Sequence, residues 1–355
     1  MNICDKSFRK NIDGKEVRLF KLVNNQHMRV LLTNYGGRIV SWLAADKDGR
    51  FDDIVLGFNN IEQYMEAAEQ YHGAIIGRYS NRIANGTFSL NGRQYQLEKG
   101  NNKNHLHGGG GGFHNTIWKS CEYNSNKVVL KYISQDGEQG YPGRLEVFVE
   151  YRLTEKNELH IIYRAKTDRP TIVNLTNHTF FNLSGTTTSI NNHQLRINAD
   201  QYTPVDESLI PTGKIESVDD TPFDFRRSKT IGRDLDIQNP QLAYGGGYDH
   251  NFVLNKEDGQ QLTKAAKVVD PQSGRFLEVE TTEPGLQFYG GNHLDGSDIG
   301  KKDIPYNSCT GFCLEPQHFP DSPNQPAFPS VVLKPDSTYN SRSVYRLGVC
   351  NSPKS

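Results

Sequence analysis

The clearest order in the chain is alternation. In LEVFVEYRL, Leu145, Val147, Val149, Tyr151 and Leu153 fall on one face, and Glu146, Glu150 and Arg152 on the other. A period of two puts successive side chains on opposite sides of an extended backbone, so this run predicts a half-buried strand. The polar turn TEKNE follows, and LHIIYRA resumes the alternation with Leu159, Ile161, Tyr163 and Ala165, which predicts a β-hairpin. A second hairpin is expected at TFSLNGRQYQL, where Asn91-Gly92 suits a tight two-residue turn. Further strands are expected in HMRVLLTNY, KVVLKYIS, HQLRINA, RFLEVETT, LQFYG, FCLEP and SVVLK. The best helical run is IEQYMEAAEQ, a few turns at residues 61–70.

Short strands punctuated by 33 glycines and 16 prolines predict an all-β fold, a large antiparallel β-sandwich or barrel with little helix. No linker, low-complexity tract or composition shift marks a boundary, so residues 1–355 are expected to form one domain.

Composition and charge narrow the partners. Of 355 residues, 35% are hydrophobic and 23% charged, a globular balance with ample core. The 40 basic and 41 acidic residues are interspersed, which leaves no footprint for nucleic acid or an anionic membrane. The start, MNICDKSFRKNIDGKEV, has no apolar signal region, and no run of about 18 apolar residues could span a bilayer. Five cysteines, an odd number, read as reduced thiols, so a cytoplasmic location is expected. Cys309 and Cys313 are four apart, but no second cysteine pair or histidine pair completes a zinc set.

Candidate chemistry lies in the turn-rich segments. VNLTNHTFFNLSG (173–185) carries three N-x-[ST] triplets, at Asn174, Asn177 and Asn182. Without a secretory start they are expected to be accidental rather than glycosylated. His178 sits among these amides and hydroxyls as either a buried structural histidine or a general acid or base, and the amides could read ligand hydroxyls. In GRYSNRIANGTF, Arg82 offers a forked donor. In NHLHGGGGGFHNTIW, His105 and His107 would share a strand face. A metal would have to recruit His114 across the glycines, and no metal is expected there. The glycine run lacks the Lys-Ser/Thr of a phosphate loop and is expected to allow close backbone approach. In GFCLEPQHFPDSPNQ, Pro316 is expected to end the strand and leave the Glu315 carboxylate facing a cleft. Asp249, after three glycines in GGGYDHNFVL, has an ordinary explanation as a turn residue.

In this order, GRYSNRIANGTFSLNG, HLHGG, NLTNHTFFNLSG, YDHNFVL, EPGLQFYGGN and EPQHFPDSPNQPAFPS resemble the aldose 1-epimerase (galactose mutarotase) family from residue 20 to residue 348. The resemblance implies a β-sandwich, monomeric or homodimeric, that binds a free aldohexose such as galactose or glucose in an open cleft without metal or cofactor. It matches Glu315 to the family's general base and His178 to its general acid. Asn81, Arg82, His107, Asp249 and Gln287 match substrate-binding positions. His114 and Phe180 depart from the family pattern, where an acidic residue and a tyrosine are expected.

With Glu315 ionised and His178 protonated, the acidic limb of a pH profile would belong to the carboxylate and the basic limb to the imidazole. Three other readings stay open. One is a glycoside hydrolase using Asp249 and Glu315. Another is a non-catalytic carbohydrate-binding protein, for which only Trp42 and Trp118 could provide tryptophan platforms. The third is a hexose-phosphate epimerase of similar fold, which would need an added basic cluster for phosphate, and none is evident near the motifs.

Overall fold

The hairpin expected at 145–167 forms the middle of a long sheet. Leu145–Leu153 pairs antiparallel with Glu158–Thr167, and burial alternates residue by residue along the first strand. In the computed structural model, which describes residues 3–100, 103–185, 188–257 and 261–350, this sheet has nine strands. Lys127–Ser134 and Lys119–Tyr123 extend it one way. Tyr339–Val349, Arg275–Thr281, Thr263–Val269, Gln194–Ile197 and Lys229–Thr230 extend it the other.

Two smaller sheets matter here. One runs in the order Glu216–Ser217, Gln201–Thr203, Asp249–Val253, Gly285–Tyr289, Cys313–Gln317. The other joins Leu19–Val23, Arg29–Thr33, Ile39–Ala45 and Phe51–Asp53. Val147, Val149 and Tyr151 from the nine-stranded sheet share one apolar cluster with Phe252, Leu286, Phe288 and Leu314 from the five-stranded sheet. Each large side chain so buried contributes about 1.5–3 kcal/mol. Among the described residues the architecture is an antiparallel β-sandwich with two short α-helices, neither of them long and apolar enough to cross a membrane.

The second hairpin also forms. Thr87–Leu90 pairs with Arg93–Gln96 around Asn91 at φ 51° and Gly92 at φ 75°. SVVLK contributes only Val332–Leu333.

Three local expectations need correction. The helix in IEQYMEAAEQ covers only Ile61–Glu66. Beyond Ala67 the chain turns away, because the Asp298 carboxylate accepts from the N–H groups of Ala68 (2.8 Å) and Glu69 (2.9 Å). A second helix, Pro240–Gly245, was not anticipated; Asn239 caps its start and left-handed Gly246 ends it. Pro316 does not end its strand, since Cys313–Gln317 runs through it with Pro316 opposite Leu286. As the last strand of its sheet it has one side without a sheet partner, where a missing N–H is tolerated.

Candidate active site

The site is built on the alternation of three neighbouring strands. Asn251, Gln287 and Glu315 face one another across Asp249–Val253, Gly285–Tyr289 and Cys313–Gln317, and Asp249, Tyr289 and Cys313 form the next such row. The residues between them, Phe252, Leu286, Phe288 and Leu314, point into the core. One side of this sheet is therefore apolar and packed, while the other presents carboxyl, amide, phenol and thiol groups. Glu315 is 2% exposed, so it is no edge glutamate in water.

His178 arrives from a separate pairing, Thr176–His178 with Ala74–Ile76, and its ring lies over the Cys313–Glu315 end of the sheet. Nε2 of His178 is 3.7 Å from Oε1 of Glu315, and Nδ1 is 3.5 Å from Sγ of Cys313. The neighbouring asparagines do different work from that expected. Asn174, Asn177 and Asn182 are buried, and their amide groups donate to backbone carbonyls of Ser80 and His318, of Gly73, and of Thr188 and Thr310. They tie strands together rather than face a ligand, and none offers a glycosylation site at the surface.

Arg82 and His107 come from a third place. Arg82–Ile83 pairs with His105–Leu106, and both flanking residues, Asn81 (φ 63°) and His107 (φ 52°), are left-handed. The two lock reciprocally: His107 N–H donates to the Asn81 carbonyl at 3.1 Å, and Asn81 N–H donates to Nδ1 of His107 at 3.2 Å. Nδ1 is thereby an acceptor, so neutral His107 carries its hydrogen on Nε2. Gly108 makes this turn possible, because a Cβ there would stand 1.9 Å from the Gly77 carbonyl oxygen. Nη2 of Arg82 lies 3.4 Å from Oδ2 of Asp249, and Gln287 donates to Oδ1 at 2.7 Å.

Six of the seven expected site residues line one cleft with about 480 Å³ of space, its open mouth included. Gln287 stands behind it and acts through Asp249. The cleft also recruits Glu69, Tyr71, Tyr289 and His293, which the sequence reading missed. His105 does not join, as both its ring nitrogens are engaged, by the Glu98 carbonyl and the Tyr141 hydroxyl. His114 is buried and packs on Tyr71, with ring centroids 4.8 Å apart. Phe180 is buried against His178 at 5.0 Å.

Burial dominates the electrostatics. It raises the Glu315 carboxyl well above the usual range, and the charges of Asp249 and Glu69 add to this while Arg82 opposes it. It pushes the His178 imidazole down to about 3, opposed by a hydrogen bond to its own backbone carbonyl and by Asp249 and helped by His72 and Arg38. The ordering expected from ordinary values is thus inverted: the carboxyl holds a proton more tightly than the imidazole. For Asp249, burial is outweighed by Arg82 and Gln287, which hold it below the usual carboxylate range. Glu69, accepting from Tyr71 N–H at 3.0 Å, is pushed up to about 7 by burial.

His178, Cys313 and Glu315 each bring one donor atom within 4.8 Å of the others. Burial raises both the Cys313 thiol and the Glu315 carboxyl, which opposes the loss of protons that holding an ion would require.

Comparison with known proteins agrees with this geometry. The family model described as Aldose 1-epimerase matches residues 18–346. The chain is 44% identical over 334 residues to galactose mutarotase of Bos taurus, covering 94% of each protein. It is 40% identical over 337 residues to aldose 1-epimerase of Escherichia coli, covering 94% of this chain and 96% of the relative. The crystal structure of a GalM/aldose epimerase homologue from C. elegans superposes with a TM-score of 0.86 at 30% identity, covering 94% of this chain and all of that one. A sandwich of matching shape and a family match over nearly the whole length lead to one conclusion: this chain belongs to the aldose 1-epimerase family.

Proposed function

We propose that the cleft interconverts the α and β anomers of free aldohexoses such as galactose and glucose, with Glu315 and His178 moving the protons. The observation that carries this reading is the pair itself: a carboxyl and an imidazole 3.7 Å apart, both buried, at the floor of a cleft lined with hydrogen-bonding groups. The sandwich is proposed to act as one domain, since a single apolar cluster includes residues from Phe20 to Leu347.

The reaction needs one proton taken from the C1 hydroxyl and one given to the ring oxygen. Transfer of the proton held by Glu315 to Nε2 of His178 creates a carboxylate and an imidazolium. The carboxylate takes the C1 hydroxyl proton, the C1–O5 bond breaks as the C1 carbonyl forms, and the imidazolium protonates O5. Rotation about C1–C2 presents the other face of the aldehyde, and closure returns both protons. Arg82 and the Nε2–H of His107 hold the sugar oxygens, and Asp249 accepts from hydroxyls. The relatives named galactose mutarotase and aldose 1-epimerase support this substrate class.

The hydrolase reading fares worse. Asp249 has Arg82 and Gln287 on its two oxygens and stays ionised, which suits binding better than proton donation to a leaving group. Polarimetry on freshly dissolved α-galactose and α-glucose tests the proposal, with release from an aryl galactoside as control. Accelerated mutarotation without aryl release is expected; aryl release without acceleration would overturn it.

A further inference from the structure

We infer that Glu69 is a further substrate-binding residue: its Oε2 atom accepts from a sugar hydroxyl other than that on C1, and so helps decide which aldoses the cleft takes. The inference rests on the sugar reading proposed above. Glu69 lines the same cleft as Glu315, His178, Arg82, His107 and Asp249, but it comes from the segment after the helix Ile61–Glu66, and the proton transfer makes no use of it.

Two sets of hydrogen bonds hold it there. The buried Asp298 carboxylate accepts from Ala68 N–H at 2.8 Å and from Glu69 N–H at 2.9 Å, which fixes the backbone. Oε1 of Glu69 accepts from Tyr71 N–H at 3.0 Å, which fixes the carboxyl. Tyr71 is anchored in turn, its ring packed on His107 and His114 with centroids 4.5 and 4.8 Å away. Glutamate is a flexible side chain, and here the fold has ordered it before any ligand arrives.

Oε2 is left over. It has no hydrogen-bond partner among the described residues and is not sealed from solvent. A sugar that displaced water from the cleft would strand this acceptor unless one of its hydroxyls donated to it. The need is mutual. A pyranose brings several hydroxyl donors, whereas Arg82 and the Nε2–H of His107 can only donate, and Asp249 already has Arg82 and Gln287 on its two oxygens. With Glu315 committed to the C1 hydroxyl, Glu69 supplies the acceptor that the rest of the cleft lacks. Its charge helps to raise both the Glu315 carboxyl and the hydroxyl of Tyr289, another residue lining the cleft.

The test measures binding by calorimetry and turnover by polarimetry on wild type, Glu69→Ala and Glu69→Gln, with galactose and its 2-, 3-, 4- and 6-deoxy analogues. Work at pH 8 keeps the carboxyl ionised, since burial pushes it up to about 7. One analogue should bind wild type about tenfold more weakly than galactose and lose that deficit in Glu69→Ala, because donor and acceptor are then both gone. Deficits of the other analogues should persist. Glu69→Ala should also raise KM for galactose about tenfold with kcat changed far less. Glu69→Gln, which keeps an acceptor oxygen without the charge, should fall between the two. Equal weakening of every sugar in Glu69→Ala would overturn the inference, because a role confined to the turn at Tyr71 has that outcome, and so would an unchanged affinity for galactose. Binding needs no turnover, so a wild type that binds galactose without speeding its mutarotation would sink the proposed reaction and leave this inference standing on the deoxy-sugar comparison.

Discussion

The Oε1 atom of Glu315 stands 3.7 Å from Nε2 of His178, and both groups are buried. Burial sets the order, raising the carboxyl and lowering the imidazole to about 3. The active form of the free enzyme carries one proton on the pair. Acid adds a second proton, to His178, and alkali removes the one held by Glu315. The low-pH limb of kcat/KM should therefore belong to the imidazole and the high-pH limb to the carboxyl. His178→Asn should remove the low-pH limb from residual activity, and Glu315→Gln the high-pH limb. A His178→Asn profile that loses its high-pH limb instead would restore the ordering expected from unperturbed values.

Glu315→Gln keeps the shape and the hydrogen bonding of the side chain but cannot take a proton. Anomerisation should fall roughly 10²-fold or more, while sugar affinity measured by calorimetry stays close to wild type. Retention of more than about a tenth of the rate would assign the proton transfer elsewhere.

Arg82 presents two nitrogens, Nη1 and Nη2, 3.5 and 3.4 Å from Oδ2 of Asp249, distances loose enough for a sugar hydroxyl to share them. Arg82→Lys keeps the charge and loses the fork. Losing a charged hydrogen bond worth about 1.5–3 kcal/mol should raise KM about tenfold or more, with kcat changed far less. An unchanged KM would show that Arg82 serves the fold rather than the substrate.

His318 and Glu283 form a 2.6 Å pair behind the cleft. The attraction overcomes burial, lowering the Glu283 carboxyl and raising the His318 imidazole. Glu283 contributes stability above the normal carboxylate range, lost as pH falls through its depressed value. His318 contributes stability fully present below its unfolded value of 6.5, lost as pH rises through its raised value. His318→Gln should cost about 1.5–3 kcal/mol in urea unfolding near pH 6 and flatten the decline above it. An equal loss at pH 6 and pH 9 would contradict this.

Dialysis against a chelator should leave anomerisation unchanged, because in the one compact His/Cys/Glu group among the described residues burial raises both the thiol and the carboxyl and so opposes the deprotonation an ion would need. Activity lost on dialysis and restored by zinc would show that these residues close around an ion.

Much of this architecture was legible from alternation. The strand LEVFVEYRL and the turn Asn91-Gly92 form as expected because period and turn chemistry are local properties. The site residues were readable as motifs, but their company was not. Glu69 and Tyr71 sit at the tail of a run that resembles helix, and only the distant Asp298 carboxylate peels that tail into the cleft. The amides of Asn174, Asn177 and Asn182 resembled ligand readers, and only the carbonyls of remote segments explain their use. Pro316 resembled a terminator because a sequence does not reveal that its strand is the last in a sheet.

The strict alternation of Gly285–Tyr289 and Cys313–Gln317 carries a further consequence. A slip of one residue in either strand would turn Leu286 or Leu314 toward the sugar and drive Gln287 or Glu315 into hydrocarbon. Such a chain would lose its catalyst and its core in the same event. The hydrophobic effect thus proofreads the chemistry: misregistered molecules are unstable as well as inactive, so the folded population is also the competent one.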